Sequence, residues 1–348
     1  MAYTTIPKPS AYFNTNLYTG NDTADTTITG VGFQSDFTWI KSRTTTENHH
    51  AFDAVRGGGY RIYPNLDAAQ SYIATTLTSW TSDGFVVGID DGVNANGENF
   101  ASWNWKANGA GSANTDGDIN STVSANTTSG FSIVNYTGTL SGSGNPTVGH
   151  GLGVAPQVMI IKSASNGENW GVQHTSLPAN YLLQLNTTSA QINSASQGTL
   201  TAPTSSVFTV NYSGEWGNSG QNYIAYCFAE KQGYSKFGSY IGNGNNDGTF
   251  VYLGFKPAFL IIKNTAISDN WSMFNNKALG YNTYNHIMYP DLALTESNGL
   301  PIDFYSNGFK WRTSAAMANG NGNNHIYLAF AETPFVANSG ESIPTTAR

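Results

Sequence analysis

The sequence predicts an all-β protein of three tandem β-sandwich domains, jelly-roll-like and derived from an internal triplication. Three observations predict it. Thr, Ser, Asn, Gly, Tyr and Val fill the chain, and these residues favour strands and turns over helices. A ten-residue phrase occurs three times, at Gly32–Lys41, Gly153–Lys162 and Gly254–Lys263. Each copy is a glycine turn, an aromatic or β-branched run and a closing lysine. Landmarks around the phrase also keep their order. Tyr18, Tyr136 and Tyr240 open an aromatic-x-Gly turn 23, 26 and 23 residues before the lysines, and Trp170 and Trp271 each fall 8 residues after theirs. Phe85, Phe208 and Phe309 stand 20, 20 and 21 residues before Trp105, Phe228 and Phe330. A period near 100 residues is too long for a solenoid repeat and suits a small domain.

The first unit covers residues 1–107 and ends in the aromatic strand Phe100–Lys106. Within it Asp67–Leu77 has helical spacing, which predicts one or two helical turns and extra loops. Residues 108–129, rich in Gly, Asn and Ser, predict a flexible linker. The second unit, 130–231, shows six short apolar or alternating runs: Phe131–Tyr136, Gln157–Lys162, Trp170–His174, Tyr181–Leu185, Val207–Tyr212 and Tyr223–Phe228. Gly, Asn, Ser and Pro clusters separate them, the signature of a sandwich. The third unit, 232–334, follows almost at once, so the second joint is expected to be tight. Residues 335–348 form a short tail in which Pro344 blocks further pairing.

Charged residues make up 11% of the chain and aromatics 13%, with 8 Trp, 19 Tyr and 18 Phe. So many rings can bury ample apolar surface, which argues against disorder. A net charge of −7 without a basic stripe argues against nucleic-acid binding. No apolar run reaches the length of a membrane-spanning helix, so no membrane insertion is expected. The N-terminal residues lack the basic and apolar regions of a secretory signal. The single cysteine, Cys227, lies in an apolar strand and is expected to be buried. Low charge and polar uncharged loops suit a surface that works outside cells.

Few residues could carry chemistry. His49, His50 and Asp53 could bind a metal or act as a base, but adjacent strand residues point to opposite faces. Asp90-Asp91-Gly92 resembles a calcium loop in composition yet lacks the alternate carboxylates and closing Glu, and is read as a turn. Gly57-Gly58-Gly59 and Gly142-Ser143-Gly144 open no helix and predict no phosphate cradle. Glu215 and Asp269 are the best carboxylate candidates, but no spacing links them, and no nucleophile elbow is present. No enzyme activity, cofactor or metal is therefore expected. Lys41, Lys162 and Lys263 are read as strand ends whose stems cover apolar surface while the ammonium reaches water. Trp39, Trp105, Trp170 and Trp271 are expected in the core. Trp80, Trp216 and Trp311 lie in turn-rich surroundings, where an exposed indole could stack on a sugar.

The segments Tyr12–Gly20, Ile28–Phe33, Asp36–Arg43, Phe52–Gly57, Trp103–Ala107 and Ala225–Lys231 resemble a family of virion proteins from phages of marine cyanobacteria and heterotrophs. The resemblance covers nearly the whole chain. It implies a structural or tail-fibre-like role, made in the host cytoplasm and placed on the virion surface, and it brings no catalytic residues. Expected partners are capsid or tail subunits and further copies of the chain, a trimer foremost, with a host glycan or outer-membrane receptor as the alternative.

Overall fold

A computed structural model describes residues 3–141, 144–196, 198, 200–210 and 216–335. The closing-lysine strands Phe37–Ser42 and Val158–Ser163 are buried at every position, as is nearly all of Phe255–Asn264. Side chains alternate between the faces of a strand, so each of these strands serves two cores. Phe37 and Trp39, Val158 and Ile160, and Phe259 and Ile261 enter one common cluster. Their alternating neighbours Ile40, then Met159 and Ile161, then Leu260 and Ile262 enter three separate clusters. Burial on both faces is why these runs read as continuously apolar.

The protein is nearly all β, built of antiparallel sheets. The first sandwich has a four-stranded sheet in the order Phe13–Thr19, Asn99–Trp105, Phe37–Ser42, His50–Asp53. It covers a three-stranded sheet of Thr26–Thr29, Gly84–Val87 and Leu77–Thr81. The third sandwich repeats that order with Ser235–Ile241, Asn324–Pro334, Phe255–Asn264 and Ser272–Asn275, over a second sheet of four strands. In the second sandwich the same order, Phe131–Thr137, Asn222–Phe228, Val158–Ser163, Gly171–His174, forms the middle of an eight-stranded sheet. Register recurs as well: Lys41 faces Ala101, Lys162 faces Ile224 and Lys263 faces Ile326.

The other faces of the three sheets meet one another in a shared aromatic core. Phe37 lies 4.2 Å from the Tyr226 ring, Trp105 5.6 Å from Phe259, and Phe228 5.9 Å from Phe330. The sandwiches are therefore fused around a common interior.

Two local expectations are corrected. Part of the expected linker 108–129 is sheet: Ser112–Asn114 pairs with Ser121–Asn126, which pairs with Phe131–Thr137. Val123 enters the second core, so one β-branched anchor holds a strand of otherwise small polar residues. Asp67–Leu77 is not helical. Ser71–Tyr72 pairs with Tyr60–Arg61, the Gln70 amide donates to the Ala164 carbonyl, and Leu77 begins a strand. Ile73, Thr75 and Thr76 are β-branched and resist a helix, while partners outside the segment take its backbone groups. The helical turns Asp91–Asn94 and Ala316–Asn319 lie just before the last strands of the first and third sandwiches. Residues 336–348, including Pro344, lie outside the described residues.

Candidate functional site

The recurrent polar residues are structural ties. Lys41, Lys162 and Lys263 are fully buried, so their ammonium groups do not reach water as expected. Each Nζ donates instead to the carbonyls one and four residues ahead: Ser42 and Thr45 at 2.5 and 3.0 Å, Ser163 and Asn166 at 2.6 and 3.1 Å, Asn264 and Ile267 at 2.7 and 3.4 Å. The lysine closes the turn that follows its strand. Burial lowers Lys41 and Lys263 to about 8. Tyr18, Tyr136 and Tyr240 donate to the carbonyls of Val93, Trp216 and Ala318 at 2.7, 2.7 and 2.5 Å.

Eight residues after each lysine a ring reaches into the neighbouring sandwich. Trp170 Nε1 donates to the Tyr63 and Leu66 carbonyls of the first, at 2.9 and 3.2 Å. Trp271 Nε1 donates to the Gln184 carbonyl of the second, at 2.9 Å. His49 stands where the tryptophan would be in the first sandwich. Trp39 Nε1 donates to its Nδ1 at 2.8 Å, so Nε2 carries the proton and donates to the Tyr289 carbonyl of the third at 3.0 Å. The amides of Gln70, Gln191 and Glu296 donate across the same seams to Ala164, Thr265 and Arg43. The three sandwiches thus close head to tail into a ring.

The candidate chemistry disperses. Burial holds His49 well below the ordinary imidazole range and lowers His50 to about 3, so both are neutral. His50 turns away from His49, beside the Phe52 and Tyr63 rings. Among the described residues no group of three or more His, Cys, Asp or Glu is placed to hold a metal. Asp90 caps a helical turn through the Gly92 amide at 3.0 Å and pairs with Arg61 at 2.8 Å. Asp269 accepts from the Asn270 amide in a loop, and Glu215 lies outside the described residues. Cys227 is buried, which pushes its thiol up to about 12.

The sugar-stacking tryptophans are corrected as well. Trp216 and Trp311 are fully buried. Trp311 faces inward from Gly308–Trp311, packs on Phe274 and donates to the Tyr240 hydroxyl at 2.7 Å. Their turn-rich surroundings mark the ends of sheets rather than open surface. Trp80 is half-buried, its Nε1 bonded to Thr38 Oγ1 at 3.1 Å. Trp39, Trp105, Trp170 and Trp271 are core residues, as expected.

What sequence reading missed is a polar seam between the first two sandwiches. Asp53, buried, holds Arg56 Nε at 2.5 Å and accepts from the Tyr226 hydroxyl at 2.9 Å. Burial opposes the Arg56 charge, but Asp53 and Tyr226 outweigh it and keep the guanidinium firmly protonated. Beside this triad lies a cavity of about 470 Å³ between the loop after His50–Asp53 and the neighbouring ends of the strands Ser121–Asn126, Phe131–Thr137 and Asn222–Phe228. At the register position of Asp53 the other two sandwiches carry His174 and Asn275, so the position has no common residue that the sequence could have flagged.

A family model described as a domain of unknown function, DUF7483, matches residues 8–334. The chain belongs to this family. The DUF7483 match runs over all three sandwiches and the hairpin between the first two, so the family unit includes the whole ring. No curated protein and no solved structure matches the chain. No helix among the described residues is long and apolar enough to cross a membrane.

Proposed function

We propose that the chain is a non-enzymatic structural protein on the surface of a bacteriophage particle, decorating its capsid or tail. The observation that carries this reading is the closed ring. The polar groups that recur through the chain (the lysines, the tyrosine hydroxyls and the seam rings) are spent on fixing three sandwiches into one block. Such a block suits repeated placement on a particle. The recurring strand order, register and seam bonds support an origin by internal triplication, and the sequence resemblance supports the phage assignment. Imaging labelled chains on purified particles tests the reading. Hundreds of copies mean decoration, whereas about six to eighteen, the multiples of a symmetric tail, mean a tail or fibre part. Absence from the particle would refute both.

The protein is proposed to act as a homo-oligomer, with a trimer favoured. Ile241, Tyr252 and Tyr281 are more than half exposed on the third sandwich, large side chains that a partner would cover. Contacts of that kind should be nearly insensitive to salt. Sedimentation at micromolar concentration in low and high salt checks this, and a monomer in both would remove the oligomer.

A tail-fibre or spike adhesin that binds a host glycan or an outer-membrane receptor is the second reading. The polar cavity in the first seam favours it.

A further inference from the structure

We propose that the cleft between the first and second sandwiches binds a short, uncharged oligosaccharide. It stands on the cleft itself, wherever in a particle the chain sits. The volume of about 470 Å³ falls within the range of small-molecule sites. Its lining is hydroxyls and amides from both sandwiches, with Arg56, Tyr60 and Gln70 on one side and Thr122, Asn135 and Asn222 on the other. Two of these side chains carry polar atoms with no hydrogen-bond partner among the described residues, Arg56 Nη1, a donor, and Gln70 Oε1, an acceptor, both buried behind the cleft wall so that a ligand reaches them only as the wall shifts. The Arg56 side chain is only 4% exposed. Its remaining nitrogens are fixed by Asp53, the Ala51 carbonyl and Tyr226, so the free nitrogen is held in place.

The charge balance selects the ligand. Arg56 is the one charged side chain of the lining, and Asp53 neutralises it from behind at 2.5 Å. An anion would find a compensated cation, and a cation would find no counter-charge. An apolar molecule would leave the amides unpaired, which costs free energy. A ligand dense in hydroxyl groups satisfies donors and acceptors alike. Tyr60, 37% exposed and in ring contact with Tyr72 at 5.0 Å, offers a face on which a sugar ring can stack. The wall that completes the cleft includes Asn120–Thr122, at the start of the strand contributed by the inserted hairpin. The cleft therefore belongs to the seam where the chain departs from its own repeat.

The test is binding of the full chain to an array of neutral and of sulfated or uronate-bearing oligosaccharides, followed by titration of the best neutral binder. Tyr60→Ala and Asn135→Ala each remove one contact from opposite walls, and Thr122→Tyr fills the cleft from the hairpin. Each should weaken binding about tenfold or more, as loss of a stacked ring or a hydrogen-bonded pair does, while Trp80→Ala should not. Any variant that loses the wild-type melting transition is set aside, and the remaining ones decide. No signal on the array, a preference for acidic glycans, or unchanged affinity in the folded variants would overturn the proposal.

Discussion

At Asp291 the ring departs from its own rule, with a consequence for pH. In the first two sandwiches Asn65 and Asn186 accept from the amides of His49 and Trp170 at 2.9 Å, and their own Nδ2 donates to Asn48 and Asn169 at 2.8 Å. In the third, Asp291 Oδ1 accepts from the Trp271 amide at 3.1 Å, but Oδ2 has no partner among the described residues. Burial raises this carboxyl from 3.8 to about 7. Between those values the folded protein keeps a proton on Asp291 that the unfolded chain has released, so the contribution of this one group to stability falls as pH rises from about 4 to about 7, against the opposite contribution of the buried neutral histidines. Asp291→Asn restores the missing donor. Its stability relative to the wild type should rise between pH 4 and 7 and reach a gain of about 1 kcal/mol at neutral pH and above. Urea midpoints from pH 4 to 8 check this, and a variant no more stable at pH 8 would refute it.

The seam tryptophans set the prediction at the level of elements. Trp170 and Trp271 are each 1% exposed, and each leads into a strand, Gly171–His174 or Ser272–Asn275, while its indole bonds the next sandwich. Trp271→Ala and Trp170→Ala should each cost about 3–5 kcal/mol, the usual loss for truncating a large ring in a packed core. Denaturant titration checks it, and losses below about 1 kcal/mol at both would mean the rings do not anchor their seams. These elements were legible in sequence because doubly buried strands leave long apolar runs, and because the lysine turn fixes a constant spacing. The hairpin within 108–129 was not. Its strands are Ser, Thr, Ala and Asn around one Val, a composition shared with loops, and only pairing to Phe131–Thr137 makes it sheet. The exposure of Trp216 and Trp311 was misread because local turn signals say nothing of what packs above a residue. The Arg56 cleft was illegible because its walls are about 50 to 170 residues apart in the chain and meet only when the sandwiches pack together.

For the whole molecule, the shared core decides how the protein unfolds. A chain of independent sandwiches would melt in stages, since multidomain proteins commonly depart from two-state behaviour. Here Phe13 of the first sandwich lies 5.4 Å from Phe259 and 5.1 Å from Phe330 of the third, and Trp105 of the first meets Phe228 of the second at 6.4 Å. Removing one sandwich would expose the inner faces of the other two to water. At about 25 cal/mol per Å² of apolar surface, even a few such rings outweigh the margin of a small domain. Calorimetry should therefore show one transition for the whole ring, with van't Hoff and calorimetric enthalpies close to equal. A fragment of residues 232–334, which carries Phe259, Ile261, Leu328 and Phe330 on an uncovered face, should bind a hydrophobic dye and melt without a sharp transition. Three resolved transitions, or a fragment that melts as cooperatively as the full chain, would mean that the sandwiches are stable alone and the aromatic centre is only a contact between them.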